Sequence, residues 1–429
     1  MDFNTACRTF SRGKQGLFEE ASYSLIQIAA KGLAWEEVAE VAVSLANSGK
    51  RLHIPIGNAI SPVDTPSTGG PASMSTLFCP LLIADAGVPV PKISLRGSIA
   101  GAIDTMAVIP GFKYRLSDVE FVQAIESAGI AHSEPGPDFC PADKTLMSCR
   151  RKLGQTANPW LAAASLLAKK LAIPNTAAAF DFRVGPTGNI GSNINEAQRT
   201  ADIFFGAAEK LAIPICITLT DNSCPSCSAI GRLESLNLLW QVLTNPDTEL
   251  ELDRTHVDTC IEIAAQACVL AKRFATTGGA EKVLRDRLRS GKVRRMFVEH
   301  LEAQGSTLEA FERVIQARTA QDTLQIVSPS QGFWVPPNLT AVKNFAKYAQ
   351  ARVEETSEKC SEVNLNKQFG MRLLVTPGER TEPGQPVVEI RYPHRALLQI
   401  DTQMLAGSTV SNPQPKPTHV FKHLFPRHG

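Results

Sequence analysis

The stretch VDTPSTGGPASMST, residues 63–76, combines an apolar start, a cluster of small hydroxyl residues and two consecutive glycines. Glycines let a backbone approach a ligand closely, and hydroxyl groups together with successive N–H groups hold anions. The order indicates a strand, then a loop over 65–70, then a run that is compatible with a helix. Ser/Thr/Gly clusters are also common in ordinary turns, so the loop alone does not distinguish an anion site from a plain turn.

Short apolar runs bounded by Gly or Pro recur on both sides of this loop, and helix-like patterns lie between them. This alternation of strand and helix predicts an α/β sheet with crossover connections. The runs interpreted as strands are 52–63, 77–84, 90–94, 177–184 and 212–220.

Helical periodicity is clearest at residues 14–49, which predict two helices ending at Gly49, and at residues 158–172. In the second segment Asn158 is a suitable N-cap and Pro159 a suitable first helical residue. Further helices are predicted at 229–245, 253–275 and 280–316.

The C-terminal part predicts a small α+β unit. VSPSQGFWVPP at 327–337 is interpreted as a linker, and a helix is predicted over 338–359. Two strands around a Pro/Gly turn are predicted within 370–392. The last segment, 412–429, is Pro-rich and basic, and we expect a frayed terminus there.

Length and composition limit the class of protein. A chain of 429 residues allows two or three domains, and 43% apolar against 20% charged residues excludes disorder throughout. The formal charge of +2 gives no sign of nucleic-acid binding. No apolar run reaches the ~18 residues of a membrane span, and no signal peptide is visible. Ten cysteines, several of them inside apolar runs, indicate reduced thiols in a cytoplasmic protein.

Several blocks of the sequence, in the same order, resemble the thymidine and pyrimidine-nucleoside phosphorylase family. TPSTGG at 65–70 corresponds to K-H-S-T-G-G of the family, and AGVPVPKISLRG at 86–97 corresponds to VPVPMISGRG. The resemblance covers residues 30–240 well and the C-terminal hairpin loosely. It continues through IDTMAVIPGF, CPADK, NPWLAAASLLAKKLA, DFRVGPTGN and ITLTDNSCPSCSAIG, at 103–112, 140–144, 158–172, 181–189 and 217–231.

The resemblance implies the α/β fold of the nucleoside phosphorylases, with three domains. A small helical domain would comprise 1–46 and 142–172, a larger α/β domain 47–141 and 173–320, and a small C-terminal α+β domain 321–429. We expect the ligand in the cleft between the helical and α/β domains, which closes by domain motion in the family. The family is usually dimeric through its helical domain, so a homodimer is expected.

On the base side of the cleft, the family holds its pyrimidine with an arginine, a serine and a lysine, which correspond to Arg150, Ser165 and Lys169. Ser165 and Lys169 are four residues apart on one predicted helix and therefore share a face. They offer hydroxyl and ammonium donors to a ring edge, and Arg150 adds a planar fork. Arg150 and Lys169 are the candidate catalytic residues, because cations stabilise a base that leaves as an anion. Composition alone would favour solvated surface cations at these positions.

The phosphate side keeps some family positions and loses others. The lysine and histidine that precede S-T-G-G in the family are replaced by Thr65 and Pro66, and a phosphate-binding threonine aligns with Ala102. Neutral hydroxyls alone compensate a desolvated dianion poorly, although Lys92 is near enough in sequence to supply charge. The retained candidates for phosphate or donor binding are Ser67, Thr68, Gly69, Gly70, Thr76, Ser94 and Arg96.

These differences leave three functional interpretations open. The first is glycosyl (pentosyl) transfer at a pyrimidine ring nitrogen, with a donor or acceptor other than free phosphate. The second is true pyrimidine-nucleoside phosphorolysis with substitute phosphate ligands. The third is nucleoside hydrolysis, or nucleobase binding without turnover. All three use one base pocket, so the expected partners are a pyrimidine base or nucleoside and a glycosyl donor or phosphate.

The cysteine pattern gives no complete metal site, and no metal or cofactor is predicted. Cys224 and Cys227 form a C-x-x-C, but no second ligand pair follows at the spacing of a zinc site. Zinc binding and redox chemistry remain minor alternatives. We expect loop thiols that border the cleft.

Five other polar residues lie in or near the aligned blocks. His53 and His132 are the nearest histidines. Asp143 and Asp181 match family positions, and capping and loop bracing are their expected roles. Asp64 directly precedes the glycine loop and is expected to orient it.

Overall fold

The computed structural model describes residues 1–13, 15–54, 60–99, 101–136, 139–355, 368–392, 405–413 and 419–426. The helices in these ranges are α1 (Phe3–Ser11), α2 (Phe18–Ala29), α3 (Trp35–Ala46), α4 (Ser75–Asp85), α5 (Ala102–Met106), α6 (Asp118–Ala128), α7 (Pro141–Lys152), α8 (Pro159–Ala172), α9 (Ile194–Lys210), α10 (Arg232–Thr244), α11 (Glu251–Leu270), α12 (Thr277–Arg289), α13 (Lys292–Ala303), α14 (Leu308–Thr319) and α15 (Leu339–Glu355). The strands are β1 (Val63–Asp64), β2 (Val90–Ile93), β3 (Ile130–Ser133), β4 (Ala177–Val184), β5 (Ile215–Asp221), β6 (Ala229–Ile230), β7 (Asp322–Val327), β8 (Gly332–Val335), β9 (Gly370–Leu373), β10 (Arg380–Thr381), β11 (Pro386–Tyr392), β12 (Ser408–Val410) and β13 (Val420–Leu424).

The central sheet has the strand order β1-β4-β5-β13. Strands β1, β4 and β5 run parallel, and β13 pairs antiparallel with the other edge of β5. Every residue of β4 is buried, as in a parallel strand that is covered on both faces. The predicted α/β architecture is therefore confirmed.

Helices cover this sheet from two sides. One core joins α1, α2, α3, α7 and α8 with α9 and the strands β4 and β5, so the segments 1–46 and 142–172 pack together. A second core joins α4, α5 and α10–α15 with the C-terminal strands around Trp334. Within the part of the chain that the structure describes, no helix is long and apolar enough to cross a membrane.

Helix α8 shows how the local sequence sets an element that carries the site. Asn158 is the N-cap, its side chain accepts a hydrogen bond from the backbone N–H of Leu161 (3.0 Å), and Pro159 is the first helical residue, as predicted. The helix is buried over most of its length, including Ser165 and Lys169. Burial of these polar side chains requires partners inside the protein.

The strands predicted at 90–94, 177–184 and 212–220 are confirmed as β2, β4 and β5, of which β2 pairs with β3 outside the central sheet, but two other strand predictions differ from the structure. The run 77–84 lies in α4, which is apolar around its whole circumference, so no polar face revealed its helical period. Of the run 52–63 only Val63 lies in a strand, and residues 55–59 are outside the described residues.

The helix predictions hold with three adjustments. The two helices predicted for 14–49 are α2 and α3, and α1 precedes them where no helix was predicted. The segments 229–245 and 253–275 contain α10 and α11. The segment 280–316 contains most of α12, all of α13 and part of α14, with Gly291 and Gly305 in left-handed conformations between them.

Two predictions for the C-terminal part are wrong. The supposed linker 327–337 contains β8, which pairs with β10 and β12 and buries Trp334. The supposed frayed segment 412–429 contains β13, whose backbone groups complete the edge of β5 in the central sheet. The hairpin predicted within 370–392 is confirmed as β9 and β11, which form a sheet with β6 and β7.

Candidate active site

A cavity of about 580 Å³ opens where β1 and β4 end. Its wall comes from three parts of the chain: the loop 66–70 with the segment after β2, the helices α7 and α8, and the C-terminal helix α15. A larger open groove of about 990 Å³ between α9 and β13 contains none of the predicted site residues. Those that line the 580 Å³ cavity are Ser67, Thr68, Gly69, Gly70, Thr76, Ser94, Arg150, Ser165 and Lys169.

The glycine loop is fixed against the end of β4. The backbone N–H of Thr68 donates to the carbonyl of Asp181 (3.1 Å), and the Thr68 hydroxyl accepts from the backbone N–H of Arg183 (3.0 Å). Gly69 has a φ of +91°, and a Cβ atom there would lie 2.6 Å from the carbonyl oxygen of Thr187. Gly70 has a φ of +84° and is similarly crowded. The two glycines are therefore required by the loop itself, before any ligand binds.

The four candidate hydroxyls of the anion side differ in availability. The hydroxyls of Ser67 and Thr76 line the cavity, and the hydrogen bonds of the described residues do not use them. The Thr68 hydroxyl braces the loop, and the Ser94 hydroxyl lies 3.0 Å from Nε2 of His132. Two hydroxyls are thus free to meet a ligand.

On the base side, Lys169 is almost completely enclosed. Its ammonium group donates to the Ser165 carbonyl (2.8 Å) and to the Ser165 hydroxyl (3.0 Å), and lies 2.6 Å from Oδ2 of Asp143. The side chains of Lys169 and Asp143 are 4% and 1% exposed. Asp143 therefore neutralises the site lysine, in contrast to the capping role that was predicted for it. The Ser165 hydroxyl accepts from Lys169, which leaves its own O–H to donate into the cavity.

Arg150 is buried in the wall of the same pocket, where backbone carbonyls hold its side chain. Its Nε donates to the carbonyl of Gln155 (3.1 Å), and its Nη2 donates to the carbonyls of Thr156 (2.7 Å) and Asn158 (3.3 Å). None of these bonds uses Nη1. Burial lowers the pKa of Arg150 to about 10, while the nearby Asp143 carboxylate acts in the opposite direction. The side chain is thus still a cation near neutral pH.

A second buried carboxylate, Asp64, lies on the cavity wall between two lysines. Its Oδ1 accepts from Lys92 (2.9 Å), and its Oδ2 accepts from Lys170. Burial opposes ionisation of Asp64, but the ammonium groups of Lys170 and Lys92 outweigh it and hold its pKa far below the usual range. Lys92 also donates to the carbonyl of Thr65 (3.0 Å), which fixes the start of the loop.

Arg183 forms a third charged cluster beneath the loop. It pairs with Asp181 (Nε to Oδ2, 3.1 Å) and donates from Nη1 to the Gly69 carbonyl. Asp181 also accepts hydrogen bonds from the hydroxyls of Ser75 and Thr220, both at 2.6 Å. Asp181 thus braces the loop through its neighbours.

Three positions named for the phosphate side do not offer a polar group to the cavity. Arg96 is outside the cavity lining; its Nε pairs with Asp104 (3.3 Å), and its guanidinium lies over the ring of Tyr114. Ala102 lines the cavity without a polar group. The hydroxyl of Thr65, at the position of the family lysine, is buried and has no hydrogen-bond partner among the described residues.

The remaining candidates lie elsewhere. Neither Cys224 nor Cys227 is among the described residues that line the cavity, although loop thiols at its border were expected. Burial raises the pKa of the Cys224 thiol to about 12, so it is protonated at neutral pH. Within the described ranges no cluster of three or more His, Cys, Asp or Glu side chains has a metal-binding arrangement. His53 is exposed and does not line the cavity.

His132, one of the two histidines named from the sequence, does not line the cavity, although its Nε2 lies 3.0 Å from the hydroxyl of Ser94, which does. Sequence reasoning missed several cations that line the cavity. Arg183 stands in the strand sequence DFRV. Because side chains alternate between the two faces of a sheet, its position there predicts that it lies on the face opposite to that of Phe182. Lys343 and Lys347 come from α15, far from the aligned blocks. Their i,i+4 spacing indicates that they share one face of a helix, but it does not indicate which cavity that face lines.

Comparisons with known proteins agree with the sequence resemblance. No protein-family model matches the chain. The chain is 24% identical to the pyrimidine-nucleoside phosphorylase of Staphylococcus epidermidis over 390 residues, which cover 90% of this chain and 87% of that protein. It is 23% identical to the enzyme of the same name from Geobacillus stearothermophilus over 397 residues, 92% and 89% of the two chains. It is 24% identical to the thymidine phosphorylase of Agrobacterium fabrum over 383 residues, 88% and 84%.

A solved structure also shares the fold. The chain matches the anthranilate phosphoribosyltransferase from Thermus thermophilus with a TM-score of 0.55 and 15% identity, over 71% of this chain and 96% of that one. The curated relatives span nearly the whole chain, and four of the blocks that carry the resemblance, 65–70, 86–97, 158–172 and 181–189, contribute residues to the cavity. The chain is thus similar over nearly its whole length to pyrimidine-nucleoside and thymidine phosphorylases, as a distant relative of these enzymes.

Proposed function

We propose that this chain is a pentosyltransferase that makes or breaks the N-glycosidic bond at a pyrimidine ring nitrogen, with a donor or acceptor other than free phosphate. The observation that carries the proposal is the contrast between the two sides of the cavity. Arg150, Ser165 and Lys169 meet on one side, and on the other the loop has lost its own cation at Thr65.

The base side supplies donors and charge to a carbonyl-bearing ring. The free Nη1 of Arg150 and the Ser165 O–H are placed to donate to ring oxygens. When the bond between the ring nitrogen and the pentose breaks, the electron pair stays on the base, and a nearby cation stabilises it. Lys169 provides that charge from an enclosed site, where water screens it little.

The anion side supports a partner other than free phosphate. Lys92 and Lys170 share Asp64, and Arg183 pairs with Asp181, so the cations of the α/β part that lie nearest the loop already have carboxylate partners. Ser67 and Thr76 contribute neutral hydroxyls only. The loop itself therefore offers orthophosphate only neutral hydroxyls at the place where the family has a lysine.

The proposal is tested by measuring release of uracil, thymine and cytosine from their nucleosides, with and without phosphate or arsenate. We expect little release under either condition, together with binding of at least one free base. Fast release that strictly requires phosphate or arsenate would show phosphorolysis, the activity named for the curated relatives, and would reject the proposal. Fast release without either anion would show hydrolysis and would also reject it.

Two further expectations remain predictions supported by the resemblance and by the cysteine pattern. They are a homodimer formed through the helical segments and a cytoplasmic location.

A further inference from the structure

Two lysines of α15 line the cavity without a carboxylate partner among the described residues. Lys343 and Lys347 are four residues apart and so lie on one face of the helix. The ammonium of Lys343 donates to the carbonyl of Thr187 (3.3 Å), and the same carbonyl accepts from the backbone N–H of Gly70 (3.4 Å). Lys343 therefore stands directly beside the glycine loop, although the loop and the lysine are far apart in sequence.

The cavity as a whole carries a large excess of positive charge. Among the described lining residues, eight are Lys or Arg and one, Asp64, is a carboxylate. Asp143 and Asp181 pair with lining cations from behind. Five positive charges remain after these three carboxylates are counted. A neutral nucleoside brings no charge and orthophosphate brings at most two, so this pair of ligands would leave most of the excess uncompensated.

We infer that Lys343 and Lys347, with the hydroxyls of Ser67 and Thr76, form an anion site at the glycine loop that takes a diphosphate group. Such a group is the activated leaving group that the proposed pentosyl transfer needs, so the inference rests on the proposed function. In that transfer the ring nitrogen forms a bond to C1 of the pentose as the C1–O bond breaks. The electron pair leaves on the diphosphate, and the N–H proton of the base passes to solvent.

The environment of Lys343 is consistent with an anion beside it. Burial and the neighbouring Lys347 lower the pKa of Lys343, which means that its charged form is destabilised in the empty cavity. The negative charge of a bound polyanion stabilises the ammonium form and offsets both effects. The two lysines lie one helical turn apart, so their ammonium groups are separated. Two linked phosphoryl groups can contact both ammonium groups, whereas a single tetrahedral phosphate requires only one of them.

The test is calorimetric titration of the full chain with inorganic diphosphate, with orthophosphate and, separately, with uracil, thymine and cytosine. We expect diphosphate to bind at least about tenfold more tightly than orthophosphate at low salt. Lys343→Gln and Lys347→Gln should each weaken diphosphate binding about tenfold and leave base binding unchanged. Lys282→Gln, which removes an exposed lysine of α12, is the matched control and should behave as the unaltered chain.

Two results would overturn the inference: equal affinity for diphosphate and orthophosphate, or diphosphate binding in both α15 variants that equals the Lys282→Gln control. If Lys343→Gln lowers the melting temperature, the charge-conserving variant Lys343→Arg is measured instead. The inference requires that this variant still binds diphosphate. The base titrations separate the two proposals. Lysine-dependent diphosphate binding without binding of any pyrimidine would contradict the proposed function and support the anion site.

Discussion

Lys169 and Asp143 show how a single buried contact sets the chemistry of the base side. Lys169 donates to the carbonyl and the hydroxyl of Ser165 and forms an ion pair with Asp143, so under the proposed function it acts on the base through its charge and through the Ser165 hydroxyl that it orients. The sequence predicted that Ser165 and Lys169 share a helical face, because i,i+4 geometry is local. It did not predict Asp143 as their counterion, because that contact joins two different helices.

Replacing Lys169 with Met should both abolish pyrimidine binding and destabilise the fold. The variant leaves Asp143 buried without its partner, which costs about 3–5 kcal/mol. The double variant Lys169→Met/Asp143→Asn removes the orphaned charge and should recover much of this stability. Base binding should stay absent in both. Urea unfolding and base titration measure the two effects, and wild-type base affinity in either variant would contradict the site assignment.

Gly69→Ala tests the loop independently of any ligand. The new Cβ would lie 2.6 Å from the Thr187 carbonyl and would sit on a left-handed backbone, which by itself costs about 1–2 kcal/mol. We expect lower stability and loss of diphosphate binding. Gly278→Ala, at a position with open space and an ordinary backbone, is the control and should leave the melting temperature nearly unchanged. A Gly69→Ala protein as stable as the control would show that the loop adopts another conformation.

At the scale of elements, the sequence predicted the helices and strands that are determined by interactions between neighbouring residues. The cap and period of α8, and the buried runs of β4 and β5, follow from neighbouring residues and were predicted. The apolar helix α4 resembles a buried strand in composition, so only its tertiary setting distinguishes the two. Strand β13 pairs with β5 across some two hundred residues of chain, and nothing in its Pro-rich neighbourhood indicates that partner.

Removing residues 419–429 should destabilise the central sheet. Phe421 and Leu424 pack against its core, and loss of both side chains with the strand should lower the free energy of unfolding by about 2 kcal/mol or more. The truncation also exposes the edge of β5, so we expect self-association at high concentration. Removing only residues 427–429 is the control. Equal urea midpoints for the two truncations would show that β13 contributes nothing to the sheet.

At the scale of the whole molecule, a nearly neutral chain contains a strongly positive cavity. The formal charge of +2 is the net charge of the whole chain and does not show where the positive and negative residues lie. The lining cations come from β2, α7, α8, β4 and α15, which are widely separated along the chain. Their convergence is a property of the fold, so the sequence could predict that Arg150, Ser165 and Lys169 line one cavity, where motif and helix coincide, but not that the lysines of α15 join them.

Four buried histidines should make the protein sensitive to mild acid. Burial lowers the pKa of His132 and His256 well below the usual value and that of His300 to about 3, and it also lowers the pKa of His419. Below pH ~6.5 these histidines become protonated in the unfolded chain but stay neutral in the folded chain. The free energy of unfolding therefore falls as the pH falls, by about 1.4 kcal/mol per pH unit for each histidine. Urea unfolding between pH 7.5 and 5.5 measures the slope.

The variant His300→Gln should reduce this slope, since it removes one of the groups that stay unprotonated in the folded chain. His53→Gln, at an exposed histidine, is the control and should leave it unchanged. A slope that does not differ between the two variants would show that His300 is protonated alike in the folded and unfolded chains.

The most direct measurement is a crystal structure of the full chain soaked with uracil, thymine or cytosine together with inorganic diphosphate and orthophosphate. The predicted result places the heterocycle against Arg150 and Ser165, near Lys169, and the diphosphate between the Ser67–Gly70 loop and the lysines Lys343 and Lys347. A heterocycle bound away from Lys169, or a single orthophosphate seated at the loop in place of the diphosphate when both anions are supplied, would contradict the account.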